Sequence, residues 1–423
     1  MKKILNFKLL ASFIIAITTI FLVNSVIDDK YLIAYSTLIG IIALYCIFKI
    51  HNKIINTLFV FSVFYFALLL FGPIILYKEG YNYYREVGNL IIISYICFTI
   101  GYNIFGLLRF HKKPTNCYKN TAKTVNEKTL YFISVIIFTV GILSYAIYFL
   151  GNWHTIFGSD LEEGRVEAMT GNGLLLWVGS LVWLSVYMTY EQYLKDGKHK
   201  RTVLLMIIAS AAFSILLGFR SALVNPILII FFMKNKKKEI PIVKMFGVAV
   251  VLFIFVGVYG AIRSGSGESS VVSIIRELKV SSVNINYIVA TFPKRVKYQH
   301  GMTYLLDIIT LFSNKVEGNT TWLKNVLGLK FSGGGVTPTI IGEFYINWGL
   351  PGVLIGMTAS GALFKRIDYL YKKPDNSAFL SCLILGYIRP IIRGGYANSL
   401  VNLFVYYIGY LICQKISQKI RIV

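Results

Sequence analysis

The decisive stretch of the chain is residues 129–150, which read TLYFISVIIFTVGILSYAIYFL and contain no charged side chain. As an α-helix, a run of this length rises about 33 Å, enough to cross the roughly 30 Å hydrocarbon core of a bilayer. A helix also pairs its own backbone polar groups, as a lipid environment requires. The stretch therefore predicts a transmembrane helix.

Runs of the same kind recur along the whole sequence. Hydrophobic residues make up 56% of the 423 residues, and the mean hydropathy is +0.64, which is far above the range of soluble domains. We expect an all-α, polytopic integral membrane protein with about twelve transmembrane helices. The predicted spans are 9–26, 31–48, 55–77, 89–108, 129–150, 173–193, 203–219, 221–233, 245–262, 337–364, 377–393 and 396–413.

Two of these runs are irregular. The run at 221–233 is short and contains Pro226, and the run at 377–393 contains Arg389 and Pro390. Such features occur in discontinuous membrane helices that line a cavity or pack inside the protein. We therefore expect these two spans to be broken or tilted.

The positions of the basic residues predict the orientation of the spans. Lys and Arg are concentrated at both termini and in alternate connections, a pattern typical of the cytoplasmic side. The connection at 151–171 instead carries four acidic residues and only Arg165, which is typical of the outer side. Both termini are therefore predicted to be cytoplasmic. Because topology accounts for most of the net charge of +24, we expect no nucleic-acid partner.

One long connection, at 263–336, separates a predicted bundle at 1–262 from a second one at 337–423. A connection of this length is usually functional or disordered, and this one has apolar residues at helical spacing. We expect two or three short amphipathic helices over the outer mouth of the bundle, either contacting substrate or simply capping the helices. The spaced apolar residues include Met302, Leu305, Ile309 and Phe312.

The same connection contains nine basic and four acidic residues. This excess favours an anionic ligand at the outer surface, for which a diphosphate is one candidate. The equal alternative is that these basic residues contact anionic lipid headgroups or solvent.

Charged residues at the ends of the predicted spans lie at the same depth, near the outer leaflet, and charged residues within or at the ends of spans indicate function by default. The alternatives are that the arginines reach the interface and that Glu343 pairs with one of them. The residues are Arg220, Arg263, Glu343, Arg389 and Arg393.

Three stretches resemble a known family: Gly218–Leu223 (GFRSAL), Gly301–Tyr304 (GMTY) and Thr337–Gly352 (TPTIIGEFYINWGLPG). They are similar to the oligosaccharide repeat-unit polymerases of bacterial surface polysaccharide synthesis, the Wzy-type family that includes O-antigen and capsule polymerases. Relatives commonly have a Pro-Arg pair shortly after the second stretch, where this chain reads LFSNK at 311–315.

The resemblance implies a multispan glycosyltransferase, similar to type C, in the bacterial cytoplasmic (inner) membrane. Such an enzyme transfers the growing glycan from one undecaprenyl diphosphate carrier to a repeat unit on another. A chain-length regulator in the membrane is a candidate partner. Because the sequence has no Asp-x-Asp signature, we expect arginines to replace a divalent metal, with no cofactor. The candidate ligands of diphosphate and sugar are Arg220, Arg263, Arg295, Arg389, Arg393, Tyr304, Tyr345 and Asn347.

The acceptor hydroxyl needs a base or an orienting group, and the candidates are Glu343 and His300, with Asp307 behind them. A solvated role for His300 is an equal alternative, and Tyr345 and Asn347 could instead pack within the bundle. Arg220 is the third candidate catalytic residue, on the leaving diphosphate. Gly394-Gly395 is typical of a tight turn first, and of close backbone approach to a phosphate second.

Two rival functions stay open at this stage. A flippase of the same lipid-linked oligosaccharide would also be polytopic, but alternating access favours an ionisable site near the midplane and two similar halves. This sequence instead has a long outer connection, charges clustered at one face and no internal repeat. A ligase that attaches finished glycan would share the donor and differ in the acceptor.

Overall fold

The computed structural model describes residues 29–49, 56–107, 126–156, 172–217, 220–240, 270–310, 317–331, 334–372 and 377–420, together with single helical positions at 164, 168, 247, 251, 254 and 258. Every regular element in these ranges is a helix. The predicted span at 9–26 and most of the one at 245–262 lie outside the described residues. The helices are α1 (Lys30–Lys49), α2 (Thr57–Leu69), α3 (Gly72–Lys78), α4 (Tyr84–Leu107), α5 (Glu127–Ile156), α6 (Gly173–Asp196), α7 (Lys200–Leu216), α8 (Arg220–Lys237), α9 (Ser270–Thr291), α10 (Met302–Ile309), α11 (Asn319–Val326), α12 (Thr339–Tyr371), α13 (Ser377–Gly394) and α14 (Tyr396–Lys419).

Six helical stretches in the described residues are long and apolar enough to cross a membrane. Together they confirm an integral membrane protein, and its described residues are helical as predicted. The count of twelve spans stays a prediction, because these six stretches come from the described residues alone, and the predicted runs at 9–26 and 245–262 lie wholly or mostly outside them. The six stretches are Thr57–Lys78, Tyr84–Gly106, Glu127–Ile156, Gly173–Asp196, Thr339–Tyr371 and Tyr396–Lys419.

The two irregular runs are continuous helices. Pro226 lies inside α8 and Pro390 lies inside α13, so neither helix is broken, and the alternative of tilted spans stays a prediction. A helix can continue through proline where neighbouring helices and side chains satisfy the freed backbone groups.

The core of the bundle is the packing of α4 against α12. The two helices approach so closely that a Cβ added at Gly101 would lie 1.9 Å from the carbonyl oxygen of Thr358, and one at Gly361 would lie 2.0 Å from that of Phe98. Only glycine permits this contact between backbones, which is a common device for helix association in membranes. The α4–α12 pair is therefore the fixed frame on which the other helices are arranged.

At one end of α12, Asp368 joins this frame to α2. Its carboxylate accepts hydrogen bonds from the backbone N–H of Thr57, at 2.7 Å, and from the hydroxyl of Tyr102. Thr57 also donates its hydroxyl to the carbonyl of Phe364 at 2.8 Å. The start of α2 is thereby capped by a side chain of α12.

The segment at 263–336, predicted as a long outer loop, contains α9, α10 and α11. Helices α10 and α11 are short, with 8 residues each, whereas α9 has 22 and packs against α2, α3, α4 and α12. On α10, Thr303 is buried while Met302, Leu305 and Ile308 are exposed, so this helix is amphipathic with an outward apolar stripe. Its position outside the membrane stays a prediction.

Candidate active site

A kink in α12 organises the site. Gly349 has φ 65° and ψ −151°, and Pro351 has no N–H to donate to the carbonyl of Asn347 four residues earlier. The carbonyls of Ile346 and Asn347 instead accept from the backbone N–H groups of Gln299 and His300, at 3.0 and 3.1 Å. The kink therefore docks the turn before α10 onto the first part of α12.

The side chain of Asn347 completes this docking and is fully buried. Its Oδ1 accepts from the N–H of Gly301 at 2.7 Å, and its Nδ2 donates to Thr303 Oγ1 at 2.6 Å and to the carbonyl of Glu343 at 2.8 Å. Two of the stretches that carry the family resemblance, at 301–304 and 337–352, are thus one hydrogen-bonded unit. For Asn347 these contacts support the packing alternative, although a contact with sugar is not tested.

Glu343 is fully buried one helical turn before Asn347. Its Oε2 accepts from the backbone N–H of Tyr396 at 2.5 Å and its Oε1 from that of Ala397 at 3.0 Å, at the first turn of α14. A carboxylate at a helix N-terminus satisfies free N–H groups and is favoured by the helix dipole. Glu343 therefore caps α14.

Gly395 forms the turn between α13 and α14, with φ 83°. A Cβ at this position would lie 2.7 Å from the carboxyl carbon of Glu343, so the turn and the carboxylate need a glycine here. The group that the backbone approaches closely at this turn is a side chain of the protein itself, the carboxyl group of Glu343.

Helix α10 faces this region with Tyr304 and Asp307, which lie one turn apart on the same face. The ring of Tyr304 stacks on Trp348, with centroids 5.9 Å apart, and Asp307 Oδ1 accepts from the backbone N–H of Asn319 at 2.8 Å. Burial raises the pKa of Asp307, and the hydrogen bond from Asn319 opposes that rise. Burial, followed by the charge of Glu343, raises the pKa of Tyr304 well above its ordinary value. We call Tyr304, Asp307, Glu343, Asn347 and Gly395 the polar junction.

The arginines of α13 lie at the same end of the bundle as the polar junction. Arg389 is buried and Arg393 is half-buried, one turn apart on one face of α13, directly before Gly395. Helix α8 runs antiparallel to α13, because Gly386 packs against Ile229 while Cys382 lies near Lys236. The backbone of Arg220, at the start of α8, is therefore at this end as well.

The remaining predicted residues either do not place their side chains in the junction or lie outside the described residues, although the backbone N–H of His300 donates to the carbonyl of Asn347. Arg263 is outside them. His300 has an exposed side chain and a positive φ of 47°, and Arg295 is exposed after the end of α9. The half-buried ring of Tyr345 packs edge-on against Tyr298, with centroids 6.1 Å apart.

Sequence reasoning gave no role to Trp348, Thr303, Tyr396 or Asn319. Trp348 and Thr303 lie inside the quoted stretches. The only signal there was the four-residue spacing of Glu343 and Asn347, which places these two polar residues on one face of a helix. Nothing in the sequence pairs Asp307 with Asn319 or Glu343 with Tyr396, because these contacts depend on how the helices pack.

The long apolar helices define the class of this molecule as an integral membrane protein. Residues 4–420 match the family model described as O-antigen polysaccharide polymerase Wzy, and the chain therefore belongs to this family. Membership identifies it as a glycosyltransferase-type polymerase of polysaccharide biosynthesis. Searches of curated proteins and of solved structures each returned no match.

Proposed function

We propose that the protein joins lipid-linked oligosaccharide repeat units at the outer face of the bacterial cytoplasmic membrane. It transfers the growing glycan from undecaprenyl diphosphate to a repeat unit carried by a second undecaprenyl diphosphate, without a divalent metal. Family membership supports the polymerase reaction. The basic residues at both termini and in alternate connections support cytoplasmic termini and an outward polar junction.

The observation that carries the proposal is that arginines and the polar junction lie at the same end of the bundle. Arg389 and Arg393 on α13 and the start of α8 at Arg220 lie at the same end as the polar junction. During transfer, the bond from the anomeric carbon to the diphosphate oxygen breaks, and the electron pair stays on the diphosphate. Fixed arginines at this depth stabilise that developing charge.

The other predicted residues are proposed to have separate roles. Arg263 and Arg295 are proposed to attract the anionic carrier at the surface, and Tyr345 to contact sugar. His300 and Glu343 stay predicted candidates for the base, although the contacts of Glu343 favour a role in holding α14 against α12. Membrane lipid surrounds the protein, and a chain-length regulator is the proposed protein partner.

The test is a reaction of the purified protein with a synthetic undecaprenyl-diphosphate repeat unit in the presence of EDTA, with products resolved by length. We expect a ladder from the parent. Arg393→Ala and Arg220→Ala should each lower the rate about 10²- to 10³-fold, the usual cost of one preorganised charge-stabilising group. Arg201→Ala is the matched control, because Arg201 is an exposed arginine at the start of α7.

Absence of a ladder with the correct repeat unit would contradict the proposal. Movement of that lipid across the bilayer of proteoliposomes would then favour the flippase. Transfer of finished glycan to a different acceptor, with no ladder, would favour the ligase. A ladder that forms only after a divalent metal is added would contradict the metal-independent mechanism.

A further inference from the structure

Two buried oxygen atoms of α10 have no hydrogen-bond partner among the described residues: Tyr304 Oη and Asp307 Oδ2. A third, Asn319 Oδ1, belongs to the residue whose backbone N–H holds the other oxygen of Asp307, and Asn319 is only 1% exposed. Buried polar atoms in folded proteins are nearly always paired, so each of these atoms requires a partner. Two are acceptors and one is a hydroxyl, which together fit a ligand that donates hydroxyl hydrogens.

The two carboxylates of the polar junction differ in what they can still accept. Glu343 uses one oxygen for the N–H of Tyr396 and the other for that of Ala397. Asp307 uses only Oδ1, for Asn319. Asp307 is therefore the carboxylate with an oxygen available for an incoming hydroxyl.

An aromatic surface adjoins these atoms. Tyr304 and Trp348 stack at 26° between ring planes, and Trp348 is 41% exposed although it belongs to the otherwise largely buried start of α12. The apolar C–H face of a sugar ring packs on such a surface while its hydroxyls bond to polar groups beside it. The combination of aromatic rings, a carboxylate and an amide oxygen thus matches the chemistry of a saccharide.

We infer that α10 carries the acceptor-sugar subsite, in which Asp307 Oδ2 receives the proton of the attacking hydroxyl and Tyr304 Oη positions that sugar. This inference rests on the proposed polymerase function. The hydroxyl oxygen bonds to the anomeric carbon of the donor, the bond to the diphosphate breaks with its electron pair on the diphosphate, and the proton passes to Asp307. Water returns Asp307 to its charged form after product release.

The electrostatic setting of Asp307 is consistent with this role. Burial raises the pKa of its carboxyl above the usual value, which makes the carboxylate a stronger base. The groups that face it are Tyr304 on its own helix, Glu343 on α12 and the backbone N–H of Asn319 at the start of α11, with Tyr396 of α14 next to Tyr304.

The test compares Asp307→Asn with the parent in the ladder assay, at saturating donor and varied acceptor, from about pH 5 to about pH 9. Asparagine keeps an oxygen for the N–H of Asn319 and removes the base. We expect the rate to fall about 10²- to 10⁴-fold and the acid limb of the pH profile to disappear, while binding of labelled donor lipid is unchanged. Glu317→Gln is the matched control, since Glu317 is an exposed carboxylate two residues before Asn319.

Retention of both the parent rate and the acid limb by Asp307→Asn would overturn the inference. If this variant does not fold, Tyr304→Phe supplies the answer: it should raise the acceptor KM without changing the donor KM, and an unchanged acceptor KM would contradict the subsite. Failure of the parent itself to form a ladder would count against the polymerase function. A parent ladder matched by both variants would count against the subsite alone.

Discussion

Glu343 and Asp368 perform the same structural task at opposite ends of α12. Glu343 accepts the backbone N–H groups of Tyr396 and Ala397 at the start of α14, and Asp368 accepts that of Thr57 at the start of α2. Each carboxyl group satisfies donors that a helix terminus leaves free. The longest described helix therefore positions its neighbours through two carboxyl groups, one of which belongs to the polar junction.

Replacing Glu343 tests the cap. Glu343→Ala removes the acceptor of two buried N–H groups, and a buried donor left without a partner costs roughly 1–3 kcal/mol, so we expect a loss of about 2 kcal/mol or more. Glu343→Gln keeps one acceptor oxygen, so its free energy of unfolding should decrease less than that of Glu343→Ala. The measurement is denaturant unfolding of the protein in detergent. Equal stability of Glu343→Ala and the parent would show that the cap does not hold α14.

The glycine pair before α14 provides a matched comparison. Gly395→Ala places a methyl group 2.7 Å from the carboxyl carbon of Glu343 at a φ of 83°, so it should destabilise the protein by about 1–3 kcal/mol. Gly394→Ala meets no atom within 4 Å and should be close to neutral. Thermal unfolding of both variants measures the difference. Similar melting temperatures for the two would mean that the turn tolerates a side chain.

Much of the bundle could be predicted from hydropathy, because each long apolar run must form a helix in lipid. The run at 129–150 became the middle of α5, and the run at 337–364 became most of α12. Hydropathy did not reveal the kink at Gly349, although Pro351 was the available signal. It also could not show that Glu343 contacts α14, since that contact depends on the fold of α13 and on the turn at Gly395.

Asp29, directly before α1 and next to α4, should make the stability of the protein depend on pH. The hydroxyl of Tyr84 is the main cause that holds the pKa of Asp29 below its usual value, and the N–H of Tyr31 and the guanidinium of Arg85 contribute. A carboxyl with a lowered folded pKa stabilises the protein above its unfolded pKa, and this contribution is lost as pH falls through the folded pKa. The melting temperature of the parent should therefore decrease when the pH is lowered below about 4.

Asp29→Asn should remove that part of the acid dependence and leave a flatter profile. Glu239→Gln is its control, because Glu239 is an exposed carboxylate after α8. A parallel fall in the melting temperatures of Asp29→Asn and the parent would contradict the assignment to Asp29.

The kink in α12 is expected to control how tightly the turn before α10 is docked. Pro351→Ala restores an N–H that can bond to the carbonyl of Asn347, where it competes with the N–H of His300. The turn at 299–301 should then be held less tightly against α12, and α10 with it. We expect faster hydrogen exchange at the His300 amide and a higher KM for the acceptor, with the donor KM unchanged. Pro226→Ala in α8 is the control, since it restores a helical N–H far from this turn. Unchanged exchange at His300 in Pro351→Ala would mean that the docking of α10 depends on the Asn347 side chain and not on the freed carbonyl.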